Sequence, residues 1–299
     1  MDDIWRYGSS EGENHRVNDR APGVHGASRA PTGLDAGGYF VREGALDRVS
    51  APFAPVVTAL RERLAERFGA SRLTCAYLYG SIPRGTAVPG RSDLDVLLAL
   101  SAGPTAADHA DARAVEAELD AAFPQIDGAG ILVHGVEQVL SELERYDLGW
   151  FAACLCTPLM GEDVTSALPR YRPTSLLARE TNGDLHERLP GFRVRAAAAR
   201  TDAELTRMTR VVARAIVRTG FTLVMPRWGG WTSDLAESAE VFGHYYPAHA
   251  ERMRAAARAA RTPRADPELL DELLNGLAPW LADEYLAVHG PKAPRPQEQ

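Results

Sequence analysis

The stretch LYGSIPRGTAVPGRSDLDVLLAL, residues 78–100, constrains this chain more than any other. An apolar run enters a turn built of glycine, serine and proline, and a second apolar run opens with two acids. Residues two apart on a strand face the same way, so Asp93 and Asp95 share one face, about 6 to 7 Å apart along the chain. Leu94, Val96, Leu98 and Leu100 take the other face. Two carboxylates at the edge of a buried sheet need an opposite charge to offset their repulsion. A divalent cation supplies it, and Mg²⁺ prefers hard oxygen ligands shared with the phosphates of a nucleotide.

The turn before the acids offers the other half of such a site. Gly80 lets backbone N–H groups approach a phosphate closely, Ser81 adds a hydroxyl, and Arg84 brings positive charge to the same turn. Ser92 opens the acidic motif and joins these three as a candidate nucleotide ligand. A triphosphate held there would present its α-phosphorus to an attacking hydroxyl for in-line displacement.

The flanking pattern places the motif in a sheet. FAPVVTALRERLAERF carries Val56, Val57, Leu60, Leu64 and Phe68 at helical spacing, and Gly69 ends that helix. RLTCAYLY and DLDVLLAL read as strands on either side of the turn, TAADHADARAVEAELDAAF as a helix, and QIDGAGILVHG as a third strand. Beyond residue 140 strand signals nearly vanish. ERYDLGWFAACLCTPLMG reads as a helix leaving the first domain, and four further stretches up to Gly290 read as helices. The expected domains are therefore a disordered extension over 1–45, an α/β domain over 46–145, an all-α helical bundle over 146–290, and a disordered tail over 291–299.

The pattern h-G-S-x-x-x-G followed by S-D-x-D-h-h-h resembles the nucleotidyltransferase superfamily typified by DNA polymerase beta. That resemblance implies a mixed sheet flanked by helices and puts metal and NTP on Gly80, Ser81, Asp93 and Asp95. A helical domain directly after the catalytic fold, ILVHGVEQVL, and the helical stretch with its Tyr-Pro step at Tyr246–Pro247 are similar to the aminoglycoside adenylyltransferases, which move AMP from ATP to a hydroxyl of a cationic antibiotic. The resemblance thus implies Mg²⁺, ATP as donor, a small hydroxyl-bearing acceptor and a role in antibiotic resistance. In that branch a third carboxylate on the next strand acts as general base, a role worth about 10² to 10⁴-fold. The matching position here is Gly128. Asp127, one residue away, is the candidate base or third ligand if a bulge at Gly128 or Gly130 turns it toward the other two acids. Glu137 belongs to the following helix and is a poorer choice. Alternatives are nucleotidylation of a protein or tRNA, and a catalytically silent nucleotide binder, which the missing carboxylate at Gly128 would fit.

A formal charge of −7 argues against a broad phosphate-backbone footprint, so a nucleic-acid partner is not expected. No apolar stretch is long enough to span a bilayer, and the first twenty residues lack a signal-peptide pattern, so the expected place of action is the cytoplasm. Cys75, Cys154 and Cys156 lack metal-ligand spacing and read as small buried residues. In MPRWGGWTSDLAES, Asp234 and Glu237 fit a helix cap. The other reading of that loop sets Trp228 or Trp231 against a nucleotide. Tyr245 and Tyr246 read as core or interface, and His134 and His244 as satisfied structural histidines.

Overall fold

The computed structural model describes residues 32–295. The disorder expected over 1–31 and 296–299 lies outside the described residues. Two compact units divide the chain. One is Tyr39–Tyr171; the other holds, among the described residues, 32–38 and 172–295.

In the first unit α1 (Ala54–Arg72) starts with Pro55 in its first turn, where the missing N–H costs nothing. Its helical geometry breaks at Gly69 (φ 61°, ψ 168°), as the sequence predicts. β1 (Leu73–Tyr79), the one-turn helix α2 (Ser81–Arg84), β2 (Ser92–Leu100), α3 (Ala106–Ala122), β3 (Ile126–Gly135) and the short α4 (Val136–Val139) follow. Thr105 caps α3 by accepting the Asp108 N–H at 3.3 Å, and the Asp108 carboxylate accepts the Thr105 N–H at 2.6 Å. Arg72, at the end of α1, pairs with the same carboxylate and ties the two helices together.

The sheet runs β3-β2-β1-β4, with β2 antiparallel to β1 and parallel to β3, so it is mixed as expected. β4 (Thr157–Gly161) was not expected. It pairs antiparallel with β1, in the stretch that the sequence reads as a helix leaving the domain. The residues before it, 145–155, do form wide π-helical turns, but the chain then returns to the sheet. A five-residue strand holding Pro158 carries little local signal, and an edge position is where proline is tolerated.

Each face of the sheet has its own core. Ala76, Leu78, Leu94, Val96, Leu98 and Leu100 pack with Phe53, just before α1, and with α1 and α3 through Leu60, Leu64, Val115 and Leu119. Tyr77, Leu97 and Ala99 pack on the opposite face with Val139, Ala152 and Cys156. At the β3 edge, backbone N–H groups of Ala129 and Ile131 donate to Asp120 and Glu116 of α3, both at 2.7 Å.

Residues 32–45, expected to be disordered, are folded. Phe40 is buried, its N–H donates to the Tyr171 carbonyl at 2.9 Å, and Arg42 donates to Asp163 at 3.0 Å. All of these partners lie far along the chain, so no local period announces them.

The second unit is helical: α5 (Ser175–Asn182), α6 (Leu185–Ala198), α7 (Asp202–Trp228), α8 (Leu235–Tyr245), α9 (Ala250–Arg261), α10 (Pro267–Asp271) and α11 (Ala278–His289). The Tyr-Pro step separates α8 from α9, and Thr201 with Glu204 forms a capping box for the long α7. The tail is ordered through 295, against expectation. Arg295 is buried and donates to Glu180 of α5 at 3.0 Å. Among the described residues no helix is long and apolar enough to cross a membrane.

Candidate active site

The antiparallel pairing of β1 with β2 sets Tyr79 opposite Asp95, so the Gly80–Ser81 turn leaves the sheet beside the acidic start of β2. Gly80 has φ 80° and ψ −154°, a conformation that side chains other than glycine's rarely adopt. A Cβ there would lie 2.3 Å from Oδ2 of Asp95. The turn can therefore pass directly over that carboxylate only because residue 80 has no side chain. Asp93 and Asp95 are half-buried, and the face they share continues into Leu97, while Leu94 and Val96 enter the other core, as the strand period predicts.

The remaining turn residues hold the loop that connects the two halves. Thr86 N–H donates to the Ser81 carbonyl at 3.0 Å, and Ser92 Oγ accepts from Val88 N–H at 2.9 Å. Ser92, expected as a nucleotide ligand, thus braces the loop. Arg84 sits at the end of α2 with Nη1 3.4 Å from Oε2 of Glu43. Glu43 was missed in the sequence, and nothing local marks it: it lies 41 positions before its partner.

The parallel pairing of β2 with β3 slips between Ser92 and Leu94. Ser92 faces Ile126 and Leu94 faces Ala129, so the single Asp93 is opposed by both Asp127 and Gly128. This is the irregularity on which the candidacy of Asp127 depended. Ile126 and Ala129 both pack into the α1–α3 core, with two residues between them where a regular strand would have one or three. The alternation that sends Ile126 inward sends the exposed Asp127 to the face of the acidic pair. Past the slip, Gly130 pairs with Asp95, and a Cβ at Gly128 or Gly130 would meet open space. Among the described residues no three His, Cys, Asp or Glu side chains come together as a metal cluster.

Two hard-oxygen carboxylates beside a turn that has no Cβ are a donor set suited to Mg²⁺ and a phosphate together. The family model of the nucleotidyltransferase domain matches residues 57–140, the segment from α1 through α4 that contains every part of this site except Glu43. Residues 57–140 are a nucleotidyltransferase domain. The chain is an enzyme of the nucleotidyltransferase type. No curated protein sequence matches it. Among matching solved structures is the spectinomycin adenyltransferase AAD(9) from Enterococcus faecialis with ATP and spectinomycin: 14% identical, covering 77% of this chain and 98% of that one, with a TM-score of 0.49.

Other candidates take structural places around the nucleotidyltransferase domain and in the helical unit. His134 Nδ1 lies 2.9 Å from Gln138 Oε1, and Glu137 sits in the first turn of α4. The three cysteines are buried, and burial pushes the Cys154 thiol up to about 12. Asp234 caps α8 by accepting the Glu237 N–H at 2.8 Å, while Trp228 and Trp231 pack edge-on against Phe221. Tyr246 stacks on Phe242 and donates to Glu284 at 2.8 Å. His244 packs edge-on against Tyr245.

Proposed function

We propose that the protein transfers AMP from Mg²⁺-bound ATP to a hydroxyl of a small cationic acceptor of the aminoglycoside kind, in the cytoplasm where ATP is supplied. The observation that carries this reading is the close approach of Gly80 to Asp95, which joins the glycine turn to a pair of carboxylates at one corner of the sheet. Asp93 and Asp95 would hold Mg²⁺, which supplies charge neutralisation to the triphosphate and to the two acids. Gly80 and Ser81 offer backbone and hydroxyl donors to the phosphates, and Arg84 offers its guanidinium.

Asp127 takes the proton from the acceptor hydroxyl. The acceptor's hydroxyl oxygen then bonds to the α-phosphorus as the bond to pyrophosphate breaks. A bulge opposite Asp93 supports this role for Asp127. The acidic balance of the chain, −7, favours a cationic acceptor over a nucleic acid.

The test is pyrophosphate release from ATP across a panel of aminoglycosides, paired with resistance of cells expressing the chain. Asp95→Asn is expected to abolish release with every acceptor, and retained turnover refutes the metal assignment. Labelled nucleotide found on protein or tRNA and never on a small acceptor would replace the acceptor class.

A further inference from the structure

We propose, on the reading that the Gly80–Ser81 turn holds the donor triphosphate, that Glu43 is a positioning residue for donor binding: its carboxylate aims the Arg84 guanidinium at the phosphates. Glu43 lies outside the matched nucleotidyltransferase segment, on the stretch that precedes α1. Yet this stretch is fastened to the turn at several points. Ala45 N–H donates to the Pro83 carbonyl at 2.9 Å, inside α2. Gly44 packs so tightly that a Cβ there would lie 2.9 Å from Pro83 Cβ and 2.5 Å from Thr157 Oγ1. On the far side of the turn, a Cβ on Gly85 would lie 3.1 Å from the Arg48 carbonyl oxygen.

Glu43 itself is held from both ends of its peptide. Its N–H donates to the Cys154 carbonyl at 2.9 Å, and its carbonyl accepts from Arg48 Nη1 at 3.1 Å. With its backbone already fixed, Glu43 adds only side-chain rotamer entropy, and no backbone entropy, to the cost of the pair. The contact is made through Arg84 Nη1. A guanidinium carries five N–H donors, so one bond to Glu43 orients the group and leaves Nε and Nη2 to face a phosphate. Both side chains are about a quarter exposed, 28% for Arg84 and 20% for Glu43, which keeps the guanidinium within reach of a ligand.

The experiment is titration calorimetry of Mg·ATP with wild type, Arg84→Ala, Glu43→Ala, Glu43→Gln and the double Ala variant, each checked for an unchanged thermal midpoint. Glu43→Ala is expected to weaken binding about tenfold, as loss of one oriented charge-assisted contact would. Glu43→Gln keeps an acceptor oxygen and should bind within about twofold of wild type. In the Arg84→Ala background, Glu43→Ala should cost nothing further. A merely structural role would add its cost in both backgrounds and would overturn the proposal, as would tighter binding by Glu43→Ala. If Arg84→Ala weakens binding while Glu43→Ala matches wild type, this proposal alone fails. If Arg84→Ala leaves binding unchanged, the donor-site reading fails and takes the proposal with it.

Discussion

Gly80 and Asp95 are in contact across the first turn of the nucleotidyltransferase domain, with 2.3 Å between the carboxylate Oδ2 and the place a Cβ would occupy. Gly80→Ala therefore imposes a backbone that alanine rarely adopts, at about 1–3 kcal/mol, and also displaces a proposed metal ligand. Gly69 makes the useful comparison, since its φ is also positive, 61°, but nothing lies within 4 Å of its would-be Cβ. Both alanine variants should lower the thermal midpoint, and only Gly80→Ala should also weaken Mg·ATP binding. Calorimetry on the two variants checks this, and equal losses of binding would disprove the seating role.

The slip opposite Asp93 separates two readings of the third acid. Asp127→Asn should lower kcat about 10² to 10⁴-fold, the usual worth of a general base, while leaving the affinity for Mg·ATP near wild type. Gly128 faces open space, so Gly128→Glu should fold normally and recover part of the turnover lost in Asp127→Asn. Steady-state kinetics of the single and double variants decides the matter. A variant Asp127→Asn with full kcat removes that residue from the reaction.

Acid should loosen the join between α1 and α3. The Arg72 guanidinium hydrogen-bonded to Asp108, with help from Thr105, holds that carboxyl well below the usual carboxylate range. A depressed pKa contributes stability that is complete above the unfolded value, about 4, and is lost as pH falls below it. Asp108→Asn should cost on the order of 2 kcal/mol at pH 7, from the cap and the charged bond together, and should flatten the acid limb of stability against pH. Urea midpoints from pH 2 to 7 read both effects.

In the helical unit Arg295 is fully buried against Glu180, whose side chain is 6% exposed. Glu180 also accepts from Arg179 Nε at 2.8 Å, so losing Arg295 removes one of its two guanidiniums and costs about 1.5–3 kcal/mol, the worth of a charged hydrogen bond. Arg295→Ala should therefore lower the midpoint of chemical denaturation by the equivalent of that amount. An unchanged midpoint would mean that the tail contributes nothing to the fold.

Where the chain states its structure locally, the sequence could be read. The period of α1, the turn chemistry at Gly80 and the alternation of β2 each depend on neighbours within a few residues. β4 and residues 39–45 depend instead on distant pairing: Leu78 with Thr157, Phe40 with Tyr171, Arg42 with Asp163. The site divides along the same line. Asp93, Asp95 and the glycine turn are legible as a pattern, and the placement of Asp127 follows only once the register of β2 on β3 is known. Glu43 has no sequence signal at all, because its importance comes from an arginine 41 positions later.

The acids that α3 lends to β3 bear on how this protein behaves at high concentration. An outermost strand with idle amide donors is an invitation to a second molecule, and sheets that accept such guests grow into fibres. Glu116 and Asp120 answer the invitation from within the same chain, taking up the Ile131 and Ala129 donors. Replacing either with alanine would leave one of those donors open at the sheet's border, beside the strand that carries Asp127.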